Sequence, residues 1–215
     1  PGEWVVVHGC GGVGLSAVMI AVAAGARVVA VDVSGSTLKL AESLGAEVTI
    51  NARQLNDSAV NDSAVNDSAV MAGAVEDSAL VAAVREATGG GAHLSLDALG
   101  SEATCAASIA GLRTRGRHVQ VGLLPAALGS PALPMHLVVA RELQLFGSHG
   151  LAAHAYPELL ALVASGRMHP ERLITGIIGL DQAGAVLVEM GETPPTGITV
   201  VHPAHVHDDS GAAGL

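Results

Sequence analysis

A valine-rich run that passes directly into a Gly-x-Gly-x-x-Gly turn, Val5-Val6-Val7-His8-Gly9-Cys10-Gly11-Gly12-Val13-Gly14, constrains this chain more than any other stretch. Glycines at that spacing are common, but their context here is specific. An apolar run of helical character follows from Leu15 to Ala24, and a second valine-rich run, Arg27 to Asp32, closes the unit. Strand, glycine turn, helix and strand make a βαβ unit, whose first turn is suited to an anion.

Each residue of the turn has a physical reason to be there. Gly9 suits the tight exit from the strand, Gly11 lets the backbone approach a pyrophosphate, and Gly14 lets the helix lie close on the strand. Gly12 and Val13 open the helix, where unpaired N–H groups and the positive end of the dipole favour a phosphate without help from Lys or Arg. Asp32 lies at the end of the second strand, roughly 20 residues on, where a carboxylate accepts hydrogen bonds from the adenosine ribose hydroxyls. It also repels a 2′-phosphate, and the next residue is Val33 rather than Arg. The expected ligand is therefore NAD(H) in preference to NADP(H).

Half of the 215 residues are apolar, yet the chain has one Trp, one Tyr and one Phe. The core must be aliphatic, as in parallel strands covered by helices on both faces. A net charge of −10 argues against nucleic acid or an anionic membrane as partner. Cys10 and Cys105 are too few for a disulfide framework and form no metal-ligand pair, which makes a reducing cytoplasm the expected compartment. The longest apolar stretch, Leu15 to Val31, is broken by Gly25 and Arg27 and reads as helix, turn and strand rather than a membrane span. The chain begins at Pro1 without Met, just ahead of the first strand, and reads as an excerpt or truncated product.

The alternation continues downstream. Thr37 to Leu44 reads as a helix closed by Gly45, and Glu47 to Ile50 as a third strand. Asn-Asp-Ser-Ala-Val then occurs three times from Asn56 to Val70. A five-residue step gives no single buried helical face, and Asn, Asp and Ser favour turns, so 56–74 is expected to be a mobile, low-complexity surface insertion. Helix 79–88, strand 93–97, helix 103–112, strand 117–121, a Pro-bearing loop 124–134, helix 135–140 and strand 142–147 complete six strands with crossovers. That pattern predicts an α/β fold with a doubly wound parallel sheet, its ligand beyond the carboxyl ends of the strands. The remainder reads as helix 155–166, extended run 173–178, helix 181–190 with Asp181 as N-cap, and strand 196–201, part of a second domain. The expected division is a dinucleotide-binding Rossmann domain over 1–148, a C-terminal segment of the other domain over 149–203, and a disordered tail over 204–215.

Taken together, His8 to Ser16, Val31-Asp32, Ala41 to Ala46, Asp97 to Gly100, Gly116-Arg117 with Val121-Gly122, Phe146-Gly147-Ser148, Ser165-Gly166-Arg167 and Leu180 to Ala183 resemble the cofactor-binding half of the zinc-type medium-chain alcohol dehydrogenases. Gly9 with Asp32 favours that branch over the related quinone reductases, which usually carry Ala at the first position. The resemblance implies hydride transfer between an alcohol and NAD, with a zinc ion polarising the substrate oxygen. It implies that Gly9 to Gly14 hold the pyrophosphate, Asp32 the ribose, the loop at Ala98 the adenosine side, and the backbone near Val121, Gly122, Phe146 and Ser148 the nicotinamide end. It also implies a homodimer through edge strand 142–147.

The sequence departs from that family in three places. The family's zinc ligands belong to a barrel-like domain upstream of the first strand, so zinc is expected only in an intact enzyme, and this chain is expected to have no metal site and no catalytic residue of its own. Thr37 stands where relatives often carry Lys near the ribose, and Thr196-Gly197 where many carry Arg or Lys facing the pyrophosphate, so cofactor binding is expected to be weak. Competing readings are a non-catalytic nucleotide-binding remnant and a zinc-independent reductase of the same superfamily. His202, His205, His207, Asp208 and Asp209 carry metal-binding donors, but their Gly- and Ala-rich setting reads as a tail. His8 reads equally as a packed strand-end residue or a border of the cofactor site, and His149 reads as a surface residue before it reads as a proton relay.

Overall fold

The structure, a computed structural model, describes residues 1–59, 75–124, 130–191, 193 and 195–203. Six strands form one parallel sheet: β1 (Trp4–His8), β2 (Arg27–Asp32), β3 (Val48–Asn51), β4 (Ala92–Asp97), β5 (Leu112–Gln120) and β6 (Gln144–Gly147). Their order is β3-β2-β1-β4-β5-β6 and every pair is parallel. The chain winds outward in one direction to β3 and returns to wind the other way from β4. The reversal lies between β1 and β4, whose last residues, His8 and Asp97, are in register. This is the doubly wound sheet expected from the alternation.

Alternate residues of each strand serve opposite layers. Val5, Val7, Val28 and Ala30 pack with α1 (Gly12–Ala23) and α2 (Gly35–Ser43). Trp4, Val6, Val29 and Val31 pack instead with α4 (Ala79–Ala87) and α5 (Glu102–Ala110), and with Leu137 of α6 (Met135–Ala140). Helix α1 is apolar all round because it is covered on two sides. One side lies on the sheet; Met168, Leu173 and Ile198 from the C-terminal part belong to the cluster that covers the other. Ser34, Ser78 and Ser101 cap α2, α4 and α5 by accepting from the amides of Thr37, Val81 and Thr104.

The C-terminal part contains α7 (Tyr156–Ala164), β7 (Ile174–Ile178), α8 (Ala183–Glu189) and β8 (Ile198–Val201). Strands β7 and β8 pair in parallel as a separate two-stranded sheet. No helix among the described residues is long and apolar enough to cross a membrane.

Several boundaries differ from the sequence reading. Helix α3 (Ala52–Ala59) carries regular structure four residues into the first repeat, because the Asn51 side chain accepts from the amides of Arg53 and Gln54 and starts a helix there. Residues 60–74, the rest of the expected insertion, lie outside the described residues, as do 125–129 of the Pro-bearing loop and the tail 204–215. Strand β5 starts five residues early, at Leu112, which pairs with Ala92; the register then shifts, and Arg115 takes a left-handed φ of 61°. Glu142 is left-handed too (φ 51°) and ion-pairs with Arg115, so β6 begins only at Gln144. Asp181 does not cap α8. A turn closes there, with Gln182 accepting from the Gly179 amide, and the helix starts at Ala183 without a side-chain cap.

Candidate functional site

The glycine turn is fixed by close approach. Gly9 takes a left-handed φ of 81°, and its amide donates to the Val31 carbonyl at 2.9 Å, tying the end of β1 to β2. A Cβ on Gly9 would sit 3.0 Å from the Cβ of Leu99, and one on Gly14 would overlap the Gly9 carbonyl oxygen and lie 2.8 Å from its carbon. Gly12 runs beside Ile198, 3.3 Å from where its Cβ would be. Gly11 is different: a Cβ there meets nothing within 4 Å, and its φ of −67° suits any residue. Packing within the protein does not account for the missing side chain.

Helix α1 begins at this open position with no capping side chain. Its first intrahelical bond is from the Leu15 amide to the Gly11 carbonyl, so the amides of Gly12, Val13 and Gly14 precede the ladder. Twelve residues of aligned peptide dipole stand behind them. No acidic side chain occupies the first turn.

Asp32 closes the other side. One carboxylate oxygen accepts from the Cys10 amide at 2.7 Å and the other from the Ser34 amide at 2.8 Å. The carboxylate thus links the glycine turn to the turn before α2, and each oxygen retains a further lone pair. The Cys10 thiol beneath is buried and donates to the Val31 carbonyl. Burial first, and then the negative charge of Asp32, push its pKa up to about 12, so it is an inert thiol.

The sequence reading did not assign Asp97 a role, yet Asp97 organises the next strand ends. Its buried carboxylate accepts from the amides of Leu99 and Gly100 and from the Gln120 side chain. Its carbonyl accepts from the amides of Val121 and Gly122. Gly122 and Gly100 pass so closely that a Cβ on Gly122 would lie 2.6 Å from the Leu99 carbonyl carbon. The Ala98 amide donates back to His8 at the end of β1, and the Ser148 amide donates to the Gln120 carbonyl. Gly9 to Gly14, Asp32 and Ala98 therefore border the reversal point, with Val121 and Gly122 at the next strand end. Phe146 and Ser148 stand one strand further out. Val33 and Leu99, exposed aliphatic residues just past the ends of the two strands flanking β1, were named only as neighbours of Asp32 and Ala98 and given no contact of their own. An acidic residue before a glycine at the end of a central strand, and an apolar residue just past such an end, are the signals that point to them.

Behind these loops lies a buried polar cluster. His118 Nε2 faces the Gln120 amide oxygen, which only accepts, so the proton resides on Nε2. Nδ1 accepts from the hydroxyls of Ser95 and Ser108. Burial lowers the pKa of His118. His8 is buried with neither ring nitrogen partnered among the described residues, and burial brings its pKa down to about 4, Asp97 opposing and His118 adding to the shift. It packs as a strand-end histidine inside the α5-side layer. His149 is exposed beyond Ser148.

Among the described residues no three His, Cys, Asp or Glu side chains are grouped to hold a metal ion, and both thiols are buried. Burial holds the Cys105 pKa up at about 11. Of the tail donors only His202 lies within the described residues.

Comparison with known proteins gives a consistent picture. Residues 12–165 match the family described as zinc-binding dehydrogenases. The chain is 32% identical over 191 residues to a probable D-xylulose reductase A of Aspergillus terreus, covering 88% of this chain and 48% of that protein. It is 38% identical over 168 residues to an alcohol dehydrogenase of Geobacillus stearothermophilus, covering 78% and 42%. The solved alcohol dehydrogenase of Thermus sp. ATN1 superimposes with a TM-score of 0.72 at 30% identity, covering 94% of this chain and 52% of that one. The chain spans about half the length of the curated relatives it matches.

Two outcomes follow from this geometry. Gly14→Ala forces α1 off the Gly9 carbonyl and costs on the order of 3 kcal/mol, whereas Gly11→Ala stays within about 1 kcal/mol of wild type. Urea denaturation reads both, and equal losses would refute the assignment of Gly11 to something other than packing. His8 gives a pH signature. A histidine charged above pH 4 only when unfolded binds protons preferentially in the unfolded state, so stability falls as pH drops from about 6.5 toward about 4. Between pH 7 and pH 5 the loss is about 2 kcal/mol. His8→Phe should flatten that part of the stability–pH curve, and an unchanged slope in the variant would remove His8 as its source.

Proposed function

This chain belongs to the zinc-type medium-chain alcohol dehydrogenase family, and from that premise we propose that it is the NAD(H)-binding part of an oxidoreductase that moves hydride between an alcohol and NAD. The observation that carries the reading is Gly11, open to solvent at the uncapped start of α1, beside a carboxylate fixed at the end of β2.

The residues present fit the dinucleotide. The amides of Gly12, Val13 and Gly14 face an anion without any cation nearby, and Gly9 and Gly11 let the backbone meet it closely. Asp32 accepts from the ribose hydroxyls with the lone pairs left free by Cys10 and Ser34. The Ala98 loop borders the adenosine side, and the strand ends at Val121, Gly122, Phe146 and Ser148 border the nicotinamide end. When bound, the cofactor supplies the hydride acceptor, so that an alcohol loses hydride and a proton and becomes a carbonyl compound. The chain's own part is to anchor and orient it. The zinc that the family implies does not fit the donors present in the described residues.

We read 1–148 as the cofactor-binding unit and 149–203 as a segment of the catalytic body, supported by the separate hydrogen bonding of β7 and β8 and by the exposed Leu180, Leu187 and Val188. Two buried free thiols suit a reducing, cytoplasmic compartment. The edge strand β6 is exposed along its whole length, with Leu145 and Phe146 outward, and its pairing with a second copy would cover it.

Fluorescence titration of this chain with NADH tests the cofactor assignment. NADH binds, NADPH binds more weakly, and Gly11→Ala and Asp32→Ala each weaken NADH by about tenfold or more. Absence of NADH binding, or NADPH bound as tightly, overturns it. Sedimentation velocity tests the dimer: wild type sediments as a dimer and Phe146→Lys as a monomer, while a monomeric wild type refutes the pairing.

A further inference from the structure

A cleft of about 490 Å³ opens beside the β2–α2 turn, lined on one side by Ser34 and Ser36 and on the other by Val186, Glu189, Met190, Thr193, Pro195 and Thr196. Its first wall is continuous with Asp32, whose carboxylate accepts from the Ser34 amide. A file of hydroxyls crosses to the second wall: Ser34 to Ser36 at 2.9 Å, and Ser36 to Thr196 at 2.9 Å, across 160 residues of sequence. Thr196 is held in turn by its carbonyl, which accepts from the Thr175 hydroxyl at the start of β7. The α8–β8 connection is thus hydrogen-bonded to the turn that follows Asp32.

The charge in this cleft is one-sided. None of the ten Lys and Arg residues lines it, and Glu189 is the only charged side chain among its described lining residues. Glu189 is exposed at the end of α8 and has no ion-pair partner among the described residues. Its charge is therefore unneutralised by any ion pair among the described residues, on the wall that faces Ser34 and Ser36. Proteins that accept a 2′-phosphate put a cation beside the ribose, and this cleft offers hydroxyls and a carboxylate instead.

We propose that Glu189, reaching the adenosine-ribose site across the Ser36–Thr196 bridge, is a second specificity-determining residue that acts with Asp32 to reject a 2′-phosphorylated cofactor. The inference rests on the cofactor reading above. It differs from that reading in placing part of the selectivity on a helix more than 150 residues away in sequence. Asp32 both accepts from the 2′-hydroxyl and repels its phosphate, whereas Glu189 repels only. Its removal should therefore leave affinity for the unphosphorylated nucleotide untouched.

The experiment is a fluorescence titration of wild type, Glu189→Gln and Glu189→Lys with NADH and NADPH, with displacement of NADH by 5′-AMP and by adenosine 2′,5′-bisphosphate. Removing one like charge from the cleft that would receive the 2′-phosphate, in partly exposed surroundings, is expected to change affinity by about fivefold, and its reversal by about twentyfold or more. Glu189→Gln should tighten NADPH and the bisphosphate by that first factor, and Glu189→Lys by the second. NADH and 5′-AMP should stay within about twofold in Glu189→Gln, because no hydrogen bond to the ribose is removed. NADH binding with an unchanged NADPH preference in both variants, or all four ligands shifting together, overturns the role of Glu189 alone. Failure of wild type to bind NADH overturns the cofactor reading, and this inference with it.

Discussion

The separation between β1 and α1 is set by one contact, the passage of Gly14 over the carbonyl of Gly9, with no room for a Cβ between them. Much else depends on it. With the helix this close, Val5, Val7, Leu15, Val18 and Met19 share one cluster, and the far side of α1 becomes the surface on which Met168, Leu173 and Ile198 settle. The same contact directs the first amides of α1 into the open space at Gly11. Close packing and the open, amide-lined start of α1 are therefore two consequences of one backbone arrangement, and they involve glycine for different reasons. Gly14 is small because protein lies against it; Gly11 is small although nothing does.

Two carboxylates then do the same job on either side of the sheet's reversal point. Asp32 and Asp97 both end strands, and both accept backbone amides from loops that would otherwise leave the sheet unsupported. Asp32 joins the first and second strand ends; Asp97 joins the fourth and fifth, with Gln120 passing the linkage on to His118. Asp97 is fully buried and accepts three hydrogen bonds from within the protein, which fits an organising role. Asp32 is half-buried, with lone pairs to spare. Burial thus distinguishes a carboxylate that shapes the site from one able to meet a ligand.

What the sequence disclosed and what it hid divide along the same physical line. Local periodicity located β2 and α6 to the residue, and the valine runs with intervening helices implied the parallel, doubly wound sheet. The glycine turn and Asp32 were legible because their chemistry is written in adjacent residues. Asp97 was hidden because its partners, the amides beyond its own strand and the Gln120 side chain, converge only once β4 and β5 pair. The early start of β5 was hidden by Arg115, whose left-handed conformation depends on Glu142, supplied from beyond α6. Asp181 read as a cap by type, but a turn closed by Gln182 displaced the helix start. The two C-terminal extended runs were visible separately; nothing local announced that β7 and β8 would pair with each other and stay out of the main sheet.

The C-terminal segment contributes more than cover for α1. Its Arg167 side chain donates to the carbonyl of Ala23, at the end of α1, and Arg172 donates to the carbonyl of Ser43, at the end of α2. Both cations therefore lie at helix carboxyl ends, where the dipole favours them. At the opposite ends of the same two helices the segment presents Ile198 beside Gly12, Thr196 beside Ser36, and the Glu189 carboxylate on the cleft that Ser34 and Ser36 line. The segment's own Lys and Arg side chains, Arg167 and Arg172, thus lie at the helix ends remote from the glycine turn. The anion proposed for this turn would meet backbone amides and a helix dipole, a source of charge that cannot move and that acts within about one helical turn. Such a site would be short-ranged: it would stabilise a phosphate held against the amides far better than one displaced toward the carboxylates of Asp32 and, on the proposal above, Glu189.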